Sequence, residues 1–306
     1  MSAKFRILFV LLLCAAMIHG CTLIPFGKSR EPQREPTLTL FDHETEEKKE
    51  IKMEEYIAGV VAAEMDPNWP VEALAAQAVI ARTFTLGELQ RKGGVRDLHQ
   101  TDVCTSPEHF QAYDASRVNE RVKRAVEMTR GKVITYRGNL VRAWFHSHSG
   151  GITSVPEEGL GLGDVDAPYL KVMRDIDLPH EARWTASFTR EEIIEAASEV
   201  GVSLQDVKSV RLGEKGPSGR IRTLIIDGKS IPAPEFRVAI GSKKMRSTLV
   251  EEVRIEGGAV IMKGRGFGHG VGMPQWSAKT MAEQGKSPED IIKFYYKGVA
   301  IEDRWK

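Results

Sequence analysis

The sequence predicts an α+β fold, a helical and β-hairpin core with a smaller α/β lobe inserted into it. Three features carry that expectation. Met53–Met65 and the segment from Pro70 to about Leu89 repeat apolar residues at three- and four-residue spacing, as paired amphipathic helices do. Apolar, β-rich runs at Val133–Tyr136 and Leu140–Phe145 flank Arg137-Gly138-Asn139 and read as a hairpin. Between Asp175 and about Gly258 a further helix and several strand-like runs carry their own caps and turns. The expected organisation is a signal segment over residues 1–20, a tether over 21–36, a core split between 37–174 and 258–306, and an inserted lobe over 175–257.

At the N-terminus, Lys4 and Arg6 precede an apolar run from Ile7 to Ile18, which matches a secretory signal. That run is shorter than the roughly 17 to 25 residues a spanning helix needs. It ends in Ile18-His19-Gly20-Cys21, a lipobox-like sequence in which Cys21 would be the lipidated first residue of the mature protein; an uncleaved short anchor is the other reading. Either one exports the chain to the outer face of the cytoplasmic membrane. Pro25, Pro32 and Pro36 interrupt a stretch with no apolar period, which reads as a tether.

The 306 residues, 42% of them hydrophobic, suffice for about two domains. Lysine and arginine total 43 against 42 acidic residues, so a net charge of +1 gives no electrostatic case for nucleic acid. With Cys14 in the signal and Cys21 lipidated, Cys104 is left without a disulfide partner.

In the first helix Ile57, Val60 and Val61 form the apolar stripe, and Glu64 falls on it. Asp66-Pro67 ends that helix and Pro70 opens the next, where Val71, Leu74, Ala75, Ala78 and Val79 make a stripe continued by Arg82. A carboxyl on an apolar face loses hydration in its charged form, so its pKa rises toward what a general acid needs. Glu64 is therefore either a catalytic acid or the buried partner of Arg82. A helix follows around Val118–Thr129, then the hairpin, whose second strand delivers His146 to Gly151 into a loop. In the lobe, Thr189 with Glu192 makes a capping box, and Asp227-Gly228 signals a tight turn between strand-like runs.

From Gly264 to Gly272 glycine stands at every second position, which bares one side of an extended chain to a partner or substrate. Within it His269 is either a ligand contact or a turn stabiliser. Two helices opening at Pro274 and Pro288 complete the chain. His99, Cys104 and His109 have spacing that zinc could use, although three candidates also fit a buried free cysteine between two surface histidines.

Several segments together resemble the stage II sporulation protein D family, which includes proteins described as amidase enhancers. They are EEYIAGVVAAEM from Glu54 to Met65, EALAAQAVIART from Glu72 to Thr83, GFGHGVGM from Gly266 to Met273, and Tyr295-Tyr296. The resemblance runs from about Leu38 to Glu302. It implies that Glu64 is the catalytic residue of a lytic transglycosylase acting on peptide-stripped peptidoglycan. It also implies partnership with a cell-wall amidase and with sporulation membrane proteins. Ordinary glycosidases need two carboxylates; no second acid stands in a comparable motif here, and a transglycosylase uses the sugar's own 6-hydroxyl instead. Gln111, Ser147, Ser149 and His269 are the residues expected to line the glycan groove, and Arg82, counted with them as substrate-binding, is expected to help hold the helix pair. The chemistry requires no cofactor. Family members that bind zinc have a cysteine after the histidine matching His109, where this chain has Phe110, so a three-ligand structural zinc site and no site both fit. A non-catalytic glycan-binding activator of an amidase is the alternative to an enzyme, and a costly buried acid favours the enzyme.

Overall fold

The computed structural model describes residues 34–176 and 182–306. The signal segment, Cys21 and most of the expected tether lie outside the described residues. The described chain is α+β, with two hydrophobic cores.

The first core begins with β1 (Thr37–Phe41) antiparallel to β2 (Lys48–Lys52), with the short β3 (Val103–Cys104) added parallel to β1. α1 (Met53–Glu64) and α2 (Val71–Lys92) follow β2. Pro67 disfavours helical backbone at Asp66, which explains why α1 stops just short of it. α2 ends on Gly93, whose left-handed backbone (φ 73°) turns its N–H back onto Glu88 and Leu89. Ala73, Ala75, Ala76, Ala78 and Ala81 are all fully buried. A helix buried on every side is a central one, and its small side chains let neighbours approach closely. Those neighbours are α1, α4 (Glu120–Met128), α8 (Gln275–Glu283) and α9 (Pro288–Tyr295). The four-residue α3 (Arg96–His99) lies between α2 and β3. Asn119 caps α4 by accepting from the N–H groups of Arg121 and Val122.

The expected hairpin forms only in part. β4 (Lys132–Tyr136) pairs with β5 (Asn139–Leu140) across Arg137 (φ 51°) and Gly138 (φ 78°), the two positive φ angles a tight two-residue turn requires. The second strand stops at Leu140, and β14 (Ala300–Asp303) covers the other edge of β4. Phe145–His146 instead forms β6, parallel to β13 (Met273–Pro274). That pairing ties the loop after His146 to the glycine run. A short α5 (Pro156–Leu160) follows this loop.

The second core is built from β7 (Arg183–Phe188), α6 (Arg190–Glu199), β8 (Val210–Leu212), β9 (Thr223–Ile226), β10 (Lys229–Pro232), α7 (Ala233–Ala239), β11 (Val250–Glu256) and β12 (Ala259–Arg265). Its two antiparallel sheets run in the orders β11-β12-β7 and β10-β9-β8. Thr189 and Glu192 form the capping box of α6, and Asp227 (φ 47°) with Gly228 (φ 79°) turns β9 into β10. Val260 and Met262 of β12 pack in this core, so the lobe's sheet continues past Gly258.

Candidate active site

Glu64 is the last residue of α1, partly open to solvent, and one oxygen accepts the backbone N–H of Ala112 at 3.1 Å. Its pKa is raised to about 7, chiefly by burial, against the opposing Ala112 N–H and Gln275 side-chain amide. The partial negative charge at a helix C-terminus acts in the same direction as burial. At neutral pH the group is thus poised between acid and base.

Two segments distant in sequence hold this position. Residues 111–114 lie along α1: the Asp114 N–H donates to Gly59 O at 3.0 Å, and Tyr113 stacks on Tyr56 at 5.6 Å. Gly59 is needed there, because a Cβ would come within 2.2 Å of the Tyr113 ring. The start of α8 supplies Gln275, and the Trp276 N–H donates to Ser147 O at 3.1 Å. Gln275 and Ala112 are the residues at Glu64 that sequence reasoning missed. Both come from loop-to-helix junctions, where periodicity carries no signal.

Arg82 does not reach Glu64. It is fully buried and holds Glu54 with two hydrogen bonds, Nη2 to Oε2 at 2.5 Å and Nε to Oε1 at 3.0 Å. Gly131 N–H and Trp305 Nε1 also donate to Glu54 Oε1, and Arg82 Nη1 donates to Lys132 O. The substrate-binding expectation for Arg82 is therefore corrected: its guanidinium ties α1 and α2 to the β4 region. Gln111 is buried beside Tyr56, donating from Nε2 to Thr85 Oγ1 at 2.9 Å while its Oε1 has no hydrogen-bond partner among the described residues.

Ser147 is half-buried at the start of α8, whereas Ser149 is fully buried and given to structure. Its hydroxyl donates to Asp175 Oδ2, and Asp175 also accepts from Ser277 at 2.7 Å and Tyr295 at 2.7 Å. Ser149 thus ties the loop to α8 and α9 and does not line an open groove. His269 accepts the Val271 N–H at 3.0 Å through Nδ1. Burial, then the charges of Arg237 and Arg220, lower its pKa to about 3, so it stays neutral and stabilises the turn.

The glycines of the run admit the protein's own groups. A Cβ on Gly272 (φ 76°) would lie 1.8 Å from Trp144 O, and one on Gly270 (φ 84°) would lie 2.4 Å from the Arg220 guanidinium carbon. Close approach, read from the sequence as serving a partner or substrate, here serves internal packing.

His99, Cys104 and His109 come together, with their ligand atoms all within 4.8 Å of one another. His99 Nε2 lies 3.0 Å from His109 Nδ1, which is 3.9 Å from Cys104 Sγ. The Ser106 N–H donates to Sγ at 3.3 Å, although burial pushes the Cys104 thiol up. Donor types and spacing fit a zinc ion held by three residues. Phe110 packs edge-on against Phe84 at 5.3 Å.

The family model described as stage II sporulation protein matches residues 42–136, and that of a domain of unknown function matches 165–272. The chain is 34% identical over 265 residues to stage II sporulation protein D of Bacillus amyloliquefaciens, covering 83% of this chain and 75% of that one. It is 32% identical over 268 residues to the Bacillus subtilis (strain 168) protein of the same name, with the same two shares. The amidase enhancer of Bacillus subtilis is 29% identical over 297 residues, covering 80% of this chain and 40% of the enhancer. With Glu64 and its helix inside the first match, and relatives aligned over most of their own length, the chain belongs to the stage II sporulation protein D family.

Proposed function

We propose that this chain is a lytic transglycosylase that cuts peptide-stripped peptidoglycan between N-acetylmuramic acid and N-acetylglucosamine, leaving 1,6-anhydro-N-acetylmuramic acid ends. Its family and the names of its relatives support a role in the cell wall and in sporulation. Glu64 carries the finer reading, as a partly open carboxyl with its pKa raised to about 7 and neither a cation nor a second carboxylate among the groups that shift it.

Protonated Glu64 donates to the glycosidic oxygen as the bond to the muramic C1 breaks. The muramic 6-hydroxyl closes onto C1, and its proton passes to the Glu64 carboxylate, which restores the acid. One C–O bond breaks, another forms, and water is not consumed. A single carboxyl suffices for both proton transfers, unlike the two-carboxylate hydrolases. Digests of peptide-free glycan test this by the mass of their ends.

The amidase enhancer among the relatives supports a second reading, a non-catalytic glycan-binding activator of a cell-wall amidase. Stimulation of an added amidase, with no cleavage by the chain alone, would select it. His99, Cys104 and His109 would hold a structural zinc ion on either reading. Export and membrane attachment through Cys21 belong to the same proposal; among the described residues no helix is long and apolar enough to cross a membrane. Membrane fractionation of wild type and Cys21→Ala tests the attachment.

A further inference from the structure

We propose that the cavity beside Trp69 and Trp276 is a further subsite of the glycan groove, one that takes the carboxylate of an acidic sugar. The proposal rests on the glycan-cleaving reading of Glu64 and names the feature by which a strand would be selected.

A cavity of about 420 Å³ opens at the start of α2 and is lined by Trp69, Glu72, Arg121, Arg124, Lys279 and Glu283, among others. α8 contributes to both the cavity, through Lys279 and Glu283, and the candidate active site, through Gln275. Gln275 sits beside Glu64, the next residue Trp276 meets Trp69 edge-on at 4.9 Å, and Trp69 forms part of the cavity wall. One turn along α8, the Lys279 ammonium lies 6.0 Å from the Trp276 ring centre.

Three cations, Arg121, Arg124 and Lys279, stand in this wall against two carboxylates, Glu72 and Glu283. Both indoles are only partly buried, and aromatic faces stack well on the apolar faces of sugar rings. Lys279 is engaged with Glu283 at 2.5 Å. Arg121 and Arg124, one turn apart on α4, are exposed and form no ion pair among the described residues. A guanidinium recognises a carboxylate through two parallel N–H donors, a geometry an amide cannot reciprocate. Muramic acid offers that contrast. Its lactyl carboxyl is a free anion in a strand without stem peptides and an amide in one that carries them. The two arginines therefore discriminate stripped from substituted strands at a sugar removed from the bond being cut.

The test uses the Glu64→Gln protein, so that bound strand is not consumed. Two probes are titrated calorimetrically: a peptide-free hexasaccharide of alternating N-acetylglucosamine and N-acetylmuramic acid, and the same oligomer with its carboxyls converted to methylamides. The acid should bind about tenfold more tightly than the methylamide. Adding Arg121→Ala and Arg124→Ala should bring the ratio to about one, with an unchanged circular dichroism spectrum and melting temperature reporting on folding. Equal affinities in the parent, or a ratio that survives loss of both arginines, would overturn the subsite and leave the Glu64 reading standing. Binding of neither oligomer would overturn both.

Discussion

Arg82 is committed to Glu54, Nη2 to Oε2 at 2.5 Å, and among the described residues no cation is one of the groups that shift Glu64, at the other end of α1. Two of the acids on α1 thus have opposite fates. Glu54 is buried and fully engaged, with Gly131 and Trp305 also donating to it, whereas Glu64 keeps a solvent-facing side and a raised pKa.

Glu54→Gln leaves the Arg82 guanidinium buried without its carboxylate. Removing one partner of such a pair costs about 3 to 5 kcal/mol. Urea unfolding should show a loss of that order, and combining Glu54→Gln with Arg82→Met should recover part of it. A near-neutral single substitution would mean that the pair does not bind the helices together.

Glu64 holds its proton in the folded state over a pH range where the unfolded chain has lost it. With a folded pKa of about 7 against the ordinary value of 4.5, stability from this group is fully present below about pH 4.5 and is lost as pH rises through about 7. Glu64→Gln should therefore be close to neutral at pH 4.5 and stabilising at pH 8, by up to about 3 kcal/mol. Denaturant titrations at the two pH values check the sign. Equal effects at both would mean an unshifted carboxyl.

Gly272→Ala places a methyl 1.8 Å from Trp144 O at a backbone φ of 76°. A clash with backbone at a left-handed position should destabilise by about 3 kcal/mol or more. Ser277→Ala, which removes one donor to Asp175, should cost only about 1 kcal/mol. Thermal unfolding of the two variants ranks them, and the reverse order would mean that the β6–β13 junction is not what the glycines serve.

Elemental analysis of protein purified without chelator should find zinc near one equivalent per chain, lost in Cys104→Ser. Metal-free wild-type protein would remove zinc from the account and leave Cys104 a buried thiol.

Much of the frame was legible because helix periodicity reports faces. The stripe through Ile57, Val60 and Val61 located Glu64, and Thr189 with Glu192 located the cap of α6. Faces do not name partners. Glu54 and Glu64 both lie on α1, and nothing in their spacing says that Arg82, Gly131 and Trp305 converge on the first. Gln275 reaches Glu64 only because β13 pairs with β6 and sets the start of α8 beside the 147–151 loop, a long-range pairing of two-residue strands with no sequence period. Ser149 looked like a groove residue because it stands in a small polar loop; its hydroxyl is instead turned inward to Asp175.

The pH dependence of cleavage follows from the same carboxyl. Donation to the leaving oxygen needs the protonated form, so the rate should be level below about pH 7 and fall tenfold per unit above it. A rate that rises through that range would assign Glu64 the role of a base in the first step.

The ends of the product strands read the chemistry at Glu64 directly. Peptide-free glycan digested with the wild-type protein should yield 1,6-anhydro-N-acetylmuramic acid ends by mass spectrometry, and digestion with Glu64→Gln should yield none. Reducing ends heavier by one water would identify a hydrolase, and anhydro ends persisting in Glu64→Gln would take Glu64 out of the reaction.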